Sequence, residues 1–361
     1  MTKYRLKKKV KFPLFLGFVG IFLVILFFVY IVLVSPVDKN SSAMIQVKIS
    51  QGMSTKEIAK ELKKRGLIRS ELLFDIVVKV NTRKSLKAAV YQFQKSMSLE
   101  EIVGVLTEGS NYNPDLIRIT FVEGESIKKY AIKIAEATNH TYDDVIEKMS
   151  DTTYLNTLIN KYWFLTDDIL NSDIYVPLEG YLAPDTYEFE SRDVSIERVI
   201  EVMLNQTDSL LKDYKSSIEN SGRSVHDTLT IASMLELEGT NTKNRKMIAG
   251  VFNNRLDNYM NLGSDVTTYY ALQVEMTSDL TTAQFNTINP YNTRASNMNG
   301  KLPVGPICNP SKSSIEASVY PTENDYLYFV ADKKGEIYYT KSQSEHLAKV
   351  KELKEAGLWI W

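Results

Sequence analysis

Two glutamates, Glu236 and Glu238, interrupt an otherwise apolar run, TIASMLELEGT, at residues 230–240. At about 100° per residue on a helix, Glu236 falls on the same arc as Leu229, Ala232, Ser233 and, where the helix reaches that far, Val225. Glu238 falls near the opposite side, with Ile231. An ionised carboxylate on a buried face costs several kcal/mol unless it is paired. Three outcomes satisfy that constraint: an arginine neutralises Glu236, its face opens into a cleft, or its pKa rises so that it keeps a proton near neutral pH. The last two together describe a general acid for glycoside cleavage; the first describes a buried salt bridge. Two-carboxylate glycosidases need acids roughly 5–10 Å apart facing one substrate. Glu236 and Glu238 point apart, so a second acid comes from elsewhere, or the substrate supplies the nucleophile.

Other chemistry is poorly supplied. The three histidines, His140, His226 and His346, are scattered and lack metal-binding spacing. There is no G-x-S-x-G elbow and no phosphate-binding loop. Cys308, flanked by Pro306 and Pro310, reads as a small buried thiol; as the single cysteine it excludes an intrachain disulfide. On the next helical pattern, RKMIAGVFNNRLDNYM, Ile248, Val251, Phe252 and Leu256 have core spacing. Arg255 lies at the edge of that face, suited to an interhelical salt bridge or to orienting a carboxylate or sugar.

The elements that position these residues follow from pattern. Residues 12–34 carry no charge, and 23 residues span roughly 34 Å as a helix, enough for a bilayer core. Lys3, Arg5, Lys7, Lys8, Lys9 and Lys11 precede them and predict a cytoplasmic N-terminus. The remaining chain is mildly acidic, which argues against nucleic acid as a partner. Residues 35–44 read as a linker. Three strand–turn–helix patterns begin at Val47, Val90 and Ile119, and Ser54 with Glu57 and Ser98 with Glu101 have capping-box spacing. Residues 143–170 read as helical, 178–189 as an irregular segment with buried aromatics, and 195–272 mainly as helices. Residues 281–310 form a long polar loop, Asn309-Pro310 starts a helix, residues 325–340 read as a hairpin, and a charged helix closes the chain.

The ordered set EGYLAPDTYEF, SMLELE, VFNNRL, LGSDVTTYYAL, NPYNTR, LPVGPICNPSKSSIEASVYP and DYLYFVAD resembles the endolytic murein transglycosylases of the MltG (YceG-like) type, over about residues 47–353. That resemblance implies an α+β fold: one N-terminal transmembrane helix (12–34) behind a basic tail (1–11), a small LysM-like βα module (45–115), and a mixed α/β catalytic domain with a largely helical core (116–361). It implies a lytic transglycosylase that cleaves the β-1,4 bond between N-acetylmuramic acid and N-acetylglucosamine in nascent strands. The products carry 1,6-anhydro-muramyl ends, and no metal or other cofactor is required. Glu236, the first acid of a [VL]-E-x-E motif, becomes the catalytic acid/base. Glu238, Ser233, Asn254, Arg255, Asp265, Tyr291, Asn292 and Thr293 become candidate cleft or supporting residues. The implied partners are peptidoglycan strands, the membrane crossed once, and the synthases of the elongation or division machinery. A non-catalytic wall-binding scaffold and a hydrolase making reducing ends are the rival readings.

Overall fold

A computed structural model describes residues 8–81, 85–109 and 116–359, with side chains from residue 17 onward except at 81. The expected basic residues Lys3, Arg5 and Lys7 lie outside the described residues. The chain divides into two compact units, Met1–Leu116 and Ile117–Trp361.

The first unit starts with α1 (Lys8–Val34), whose Gly17–Val34 stretch is long and apolar enough to cross a membrane. Then come β1 (Met44–Ile49), α2 (Thr55–Lys64), α3 (Glu71–Asn81), β2 (Ala89–Gln94) and α4 (Leu99–Glu108). Both expected capping boxes are formed. The Ser54 and Ser98 hydroxyls accept from the N–H of Glu57 and Glu101, and those carboxylates accept from the serine N–H at 2.7 Å. This reciprocal bonding satisfies two otherwise orphaned helix donors and fixes where each helix begins. β1 and β2 pair antiparallel, with Val47 opposite Tyr91, and Val47, Tyr91, Phe93, Leu62, Phe74 and Ile102 form the core beneath them.

The second unit begins with β3 (Ile117–Thr120) and α5 (Ile127–Ala137), the third strand–helix pattern of the sequence. α6 (Tyr142–Ser150), α7 (Thr152–Lys161), β4 (Thr186–Phe189), α8 (Ile196–Lys212) and α9 (Lys215–Ser221) follow. Next are α10 (Val225–Glu238), α11 (Thr242–Asp257), α12 (Asp265–Leu272), α13 (Thr282–Phe285) and α14 (Lys312–Val319). The expected hairpin is β5 (Tyr328–Ala331) with β6 (Ile337–Thr340), and α15 (Gln343–Glu355) closes the unit. β3 pairs antiparallel with β4 rather than with the strands of the first unit. The architecture is mixed α/β, mostly helical, with three two-stranded sheets among the described residues.

α10 is the axis of this unit. Leu229 and Ala232 pack into a core built from α5–α8, while Ile231, Met234 and Leu235 pack into a second core with Ile248, Phe252 and Tyr291. The helix is therefore buried on all sides rather than amphipathic, as expected of a helix between two apolar layers.

Candidate functional site

α10 starts at Ser224, whose hydroxyl accepts from the Asp227 N–H at 2.9 Å. It stops at Gly239, whose N–H reaches the Leu235 carbonyl at 2.9 Å. A Cβ on Gly239 would stand 2.4 Å from Arg245 Cγ. The missing side chain lets α11 close onto the end of α10, and so brings Arg245 to Glu236.

The Glu236 carboxylate has only 7% side-chain exposure. Its Oε1 accepts from Arg245 Nη2 at 2.7 Å. Its Oε2 accepts from the Ser311 N–H at 2.8 Å, the Ser311 hydroxyl at 2.5 Å and the Ser314 hydroxyl at 2.6 Å. Ser311 is the N-cap of α14, so the acid also lies at the positive end of a helix dipole. Three serine donors and a guanidinium thus converge on one carboxylate. Of the three outcomes open to a buried acid, this arrangement has the first: Arg245 neutralises it. An open groove at Glu236 is not a feature of this geometry. Glu236 lines neither cavity described below, whereas its neighbours Gly124 and Leu237 do.

Glu238 leaves the helix the other way, as the angular argument requires. It accepts from the Ser264 hydroxyl at 2.6 Å. Burial pushes its pKa up to about 7, with Asp265 adding to the rise and Ser264 and Arg255 opposing it. It lines a cavity of about 780 Å³ together with Arg255, Asp265, Arg294, Tyr328 and His346. A second cavity, of about 280 Å³, contains Lys128, Glu179, Tyr270 and Gln273. The two have Leu237, Val266, Tyr269 and Met276 in common, so they flank the last turn of α10 as one interrupted trough. Aromatic faces beside amides and charged groups are the surface chemistry that a saccharide needs.

The remaining sequence candidates divide. Asp265 faces the larger cavity and pairs with Arg294 at 2.5 Å. Arg255 lines the same cavity, but its donors go to the carbonyls of Leu327 at 2.5 Å and Leu262 at 2.7 Å. Asn254 ties α11 to the carbonyls of Asn324 and Tyr326, each at 2.9 Å. Ser233 is buried, donating to the Thr230 carbonyl and accepting from the Ile307 N–H. Tyr291, Asn292 and Thr293 are fully buried. The Tyr291 ring packs on Tyr175 and Tyr270. Asn292 accepts from Thr268 at 2.7 Å and donates to the carbonyls of Phe285 and Thr287. Thr293 accepts from the Ser264 N–H at 3.0 Å. These three pin the long loop from inside and present no surface to a sugar. Cys308 is a buried thiol donating to the Ser233 carbonyl.

Sequence reasoning missed Arg245, which sits in the polar run GTNTKNRKM, a stretch without a readable period. It missed Ser311 and Ser314 as partners of Glu236, although the Asn309-Pro310 signal located their helix. It also missed Glu179, a fully buried carboxyl. Glu179 accepts from the Ile127 N–H at 3.0 Å and from the Tyr270 hydroxyl at 3.0 Å, and burial raises its pKa to about 8.

Residues 47–352 match the YceG-like family. A Bacillus subtilis (strain 168) protein named endolytic murein transglycosylase is 38% identical over 315 residues, covering 87% of this chain and 86% of that one. A protein of the same name from Streptococcus pneumoniae serotype 2 (strain D39) is 35% identical over 327 residues, covering 86% of this chain but 58% of that longer protein. The 2.6 Å crystal structure of a yceG-like protein from Listeria monocytogenes is similar with a TM-score of 0.61 and 37% identity. That match covers 85% of this chain and 99% of the other.

Proposed function

The chain belongs to the YceG-like family, and on that premise we propose that it is an endolytic murein transglycosylase in which Glu236 is the single acid/base. The observation that carries the assignment to Glu236 is its position: a carboxylate at the end of α10, fixed by four donors, beside a trough rich in tyrosine and amide groups. The family's product names the chemistry. A proton from Glu236 goes to the glycosidic oxygen as the bond from the muramyl anomeric carbon breaks. The muramyl C6 hydroxyl attacks that carbon, and its proton returns to Glu236, closing the 1,6-anhydro ring. Proton and electron pair balance within the one carboxyl, so neither water nor a second enzymatic nucleophile is consumed. Glu238 points away from Glu236 and serves the adjoining cavity.

The first unit supports a membrane-proximal role. α1 reads as a single-pass anchor with its basic end in the cytoplasm and the second unit outside. The strand–helix–helix–strand order of β1, α2, α3 and β2 supports the LysM-like reading of residues 45–115. Peptidoglycan synthases of the growing wall are the partners this location suggests.

The test is the product. The detergent-solubilised full chain, given uncrosslinked glycan strands, should release fragments ending in anhydro-muramyl residues by mass spectrometry, and Glu236→Gln should release none. Fragments heavier by one water would make the protein a hydrolase. Binding without cleavage would make it a scaffold.

A further inference from the structure

We infer that the larger cavity is the subsite for the peptide branch of the glycan strand: Glu238 receives a primary ammonium of that branch, and Arg294 with Arg255 receives its carboxylate. The inference rests on the reading of the substrate as murein.

The two buried acids at the end of α10 are treated differently. Glu236 has Arg245 at 2.7 Å. Glu238, in the wall of the cavity of about 780 Å³, has one hydrogen bond, from the Ser264 hydroxyl to its Oε1. Among the described residues no basic side chain pairs with it, and its Oε2 has no donor. A buried carboxylate without a cation is costly, and an ammonium at Oε2 would supply the missing charge.

Two arginines in the same wall hold donors in reserve. Arg255 spends Nε on the Leu327 carbonyl and Nη1 on those of Asn261 and Leu262, so among the described residues its Nη2 has no acceptor. Arg294 spends Nη1 on Asp265 and on the Gly263 carbonyl, which leaves Nε and Nη2. Its guanidinium is held over the Phe285 ring, 5.0 Å from the centroid. A guanidinium edge fixed in this way suits a carboxylate. His346, also in the wall, has a buried Nδ1 without a hydrogen-bond partner, a further polar group for a peptide backbone to meet.

A sugar ring fits this wall less well. Saccharides stack on open aromatic faces, and rings here are already engaged. Tyr328 stacks on His346 with centroids 5.4 Å apart and has Arg255 5.0 Å from its centroid. Trp359 has Lys354 Nζ at 5.1 Å. The smaller cavity keeps its tyrosine and amide groups; the larger one presents charge of both signs. Its volume is ordinary for a site that encloses a ligand.

The placement matches the covalent structure of the substrate. Each muramyl residue carries a peptide, so a muramyl ring held at Glu236 brings its branch to the last turn of α10. Glu236 and Glu238 are two positions apart on that turn, a Cα separation of roughly 5–6 Å. An extended pentapeptide spans about 17 Å, enough to pass Leu237 and enter the larger cavity. The ammonium read there is the one that cross-linking converts to an amide, so occupancy selects strands whose branches are still free.

The experiment is calorimetric titration of the detergent-solubilised full chain with alanyl-γ-glutamyl-lysyl-alanyl-alanine of murein stereochemistry. Its N-terminus is acetylated, since an amide blocks that position in the strand; the comparison peptide is acetylated at the lysine Nε as well. The free-amine peptide should bind at least tenfold more tightly. Glu238→Gln should erase that preference by weakening the free-amine peptide alone. Arg294→Met, at a half-exposed position, should weaken both peptides alike. No binding, equal affinity of the wild type for the two peptides, or an intact preference in a folded Glu238→Gln overturns the proposal. If Glu238→Gln does not fold, Arg294→Met decides, and full affinity for both peptides in that variant overturns it. Strand cleavage separates the two readings. If the wild type makes anhydro ends but binds neither peptide, only the present inference fails; if it binds with the stated preference and makes no anhydro ends, the transglycosylase reading fails and the subsite stands.

Discussion

Arg245 Nη2 lies 2.7 Å from Glu236 Oε1, with 14% and 7% of the two side chains exposed. A pair so withdrawn from water draws much of its attraction from the low local dielectric, and removing one partner leaves an uncompensated charge. Arg245→Met should therefore lower unfolding free energy by about 3–5 kcal/mol. Glu236→Gln, which keeps an acceptor for the serine donors, should cost less. The check is urea unfolding of both single variants and the double variant. A coupling energy near zero would show that the pair does not act as a unit.

Gly239 is where that pair is made possible. Its φ of −100° is open to any residue, so the cost of Gly239→Ala is purely steric. The new methyl would meet Arg245 Cγ at 2.4 Å. We expect a loss of about 1–3 kcal/mol, together with a fall in kcat as Arg245 is displaced. Thermal melting and turnover, measured on the same preparation, test both. Full activity with an unchanged melting temperature would contradict the close packing.

Glu179 sets a pH dependence of stability. Burial raises its pKa from 4.5 to about 8 in the folded chain. The folded state then binds a proton that the unfolded state has lost between these values. Stability from this group is full below about pH 4.5 and declines as pH rises through about 8. Glu179→Gln, neutral throughout, should flatten that part of the curve, the wild type losing up to a few kcal/mol more than the variant. Melting curves from pH 5 to pH 9 decide it: parallel slopes would mean that Glu179 is ionised in the fold across the range.

Asn292 tests the division between loop pins and sugar contacts. Its side chain bonds Thr268, Phe285 and Thr287 from a fully buried position. Asn292→Ala should cost about 1–3 kcal/mol through the groups it leaves unpaired. The folded fraction should bind glycan strands with an unchanged KM. A variant of normal stability and raised KM would return Asn292 to the substrate surface.

Much of the fold is legible in the residues because its signals are local. Ser54 with Glu57 and Ser98 with Glu101 locate helix starts through bonds spanning three residues. Lys333-Lys334-Gly335 marks the turn of the β5–β6 hairpin, and the uncharged stretch at 12–34 falls within a single helix. The opposed directions of Glu236 and Glu238 also follow from chain geometry, since helix residues two positions apart are separated by about 200° wherever the helix packs. What surrounds each acid is another matter. Glu236 meets Arg245 nine positions along the chain and Ser311 seventy-five positions along. Gly124 arrives from the opposite direction on a turn clamped to Asn309. α10 has apolar layers on both sides, so no single buried face could say which acid would be paired and which would line a cavity. Periodicity registers only the direction a side chain takes from its own helix; the burial, the cation and the donors that set its charge come from segments that packing alone brings together.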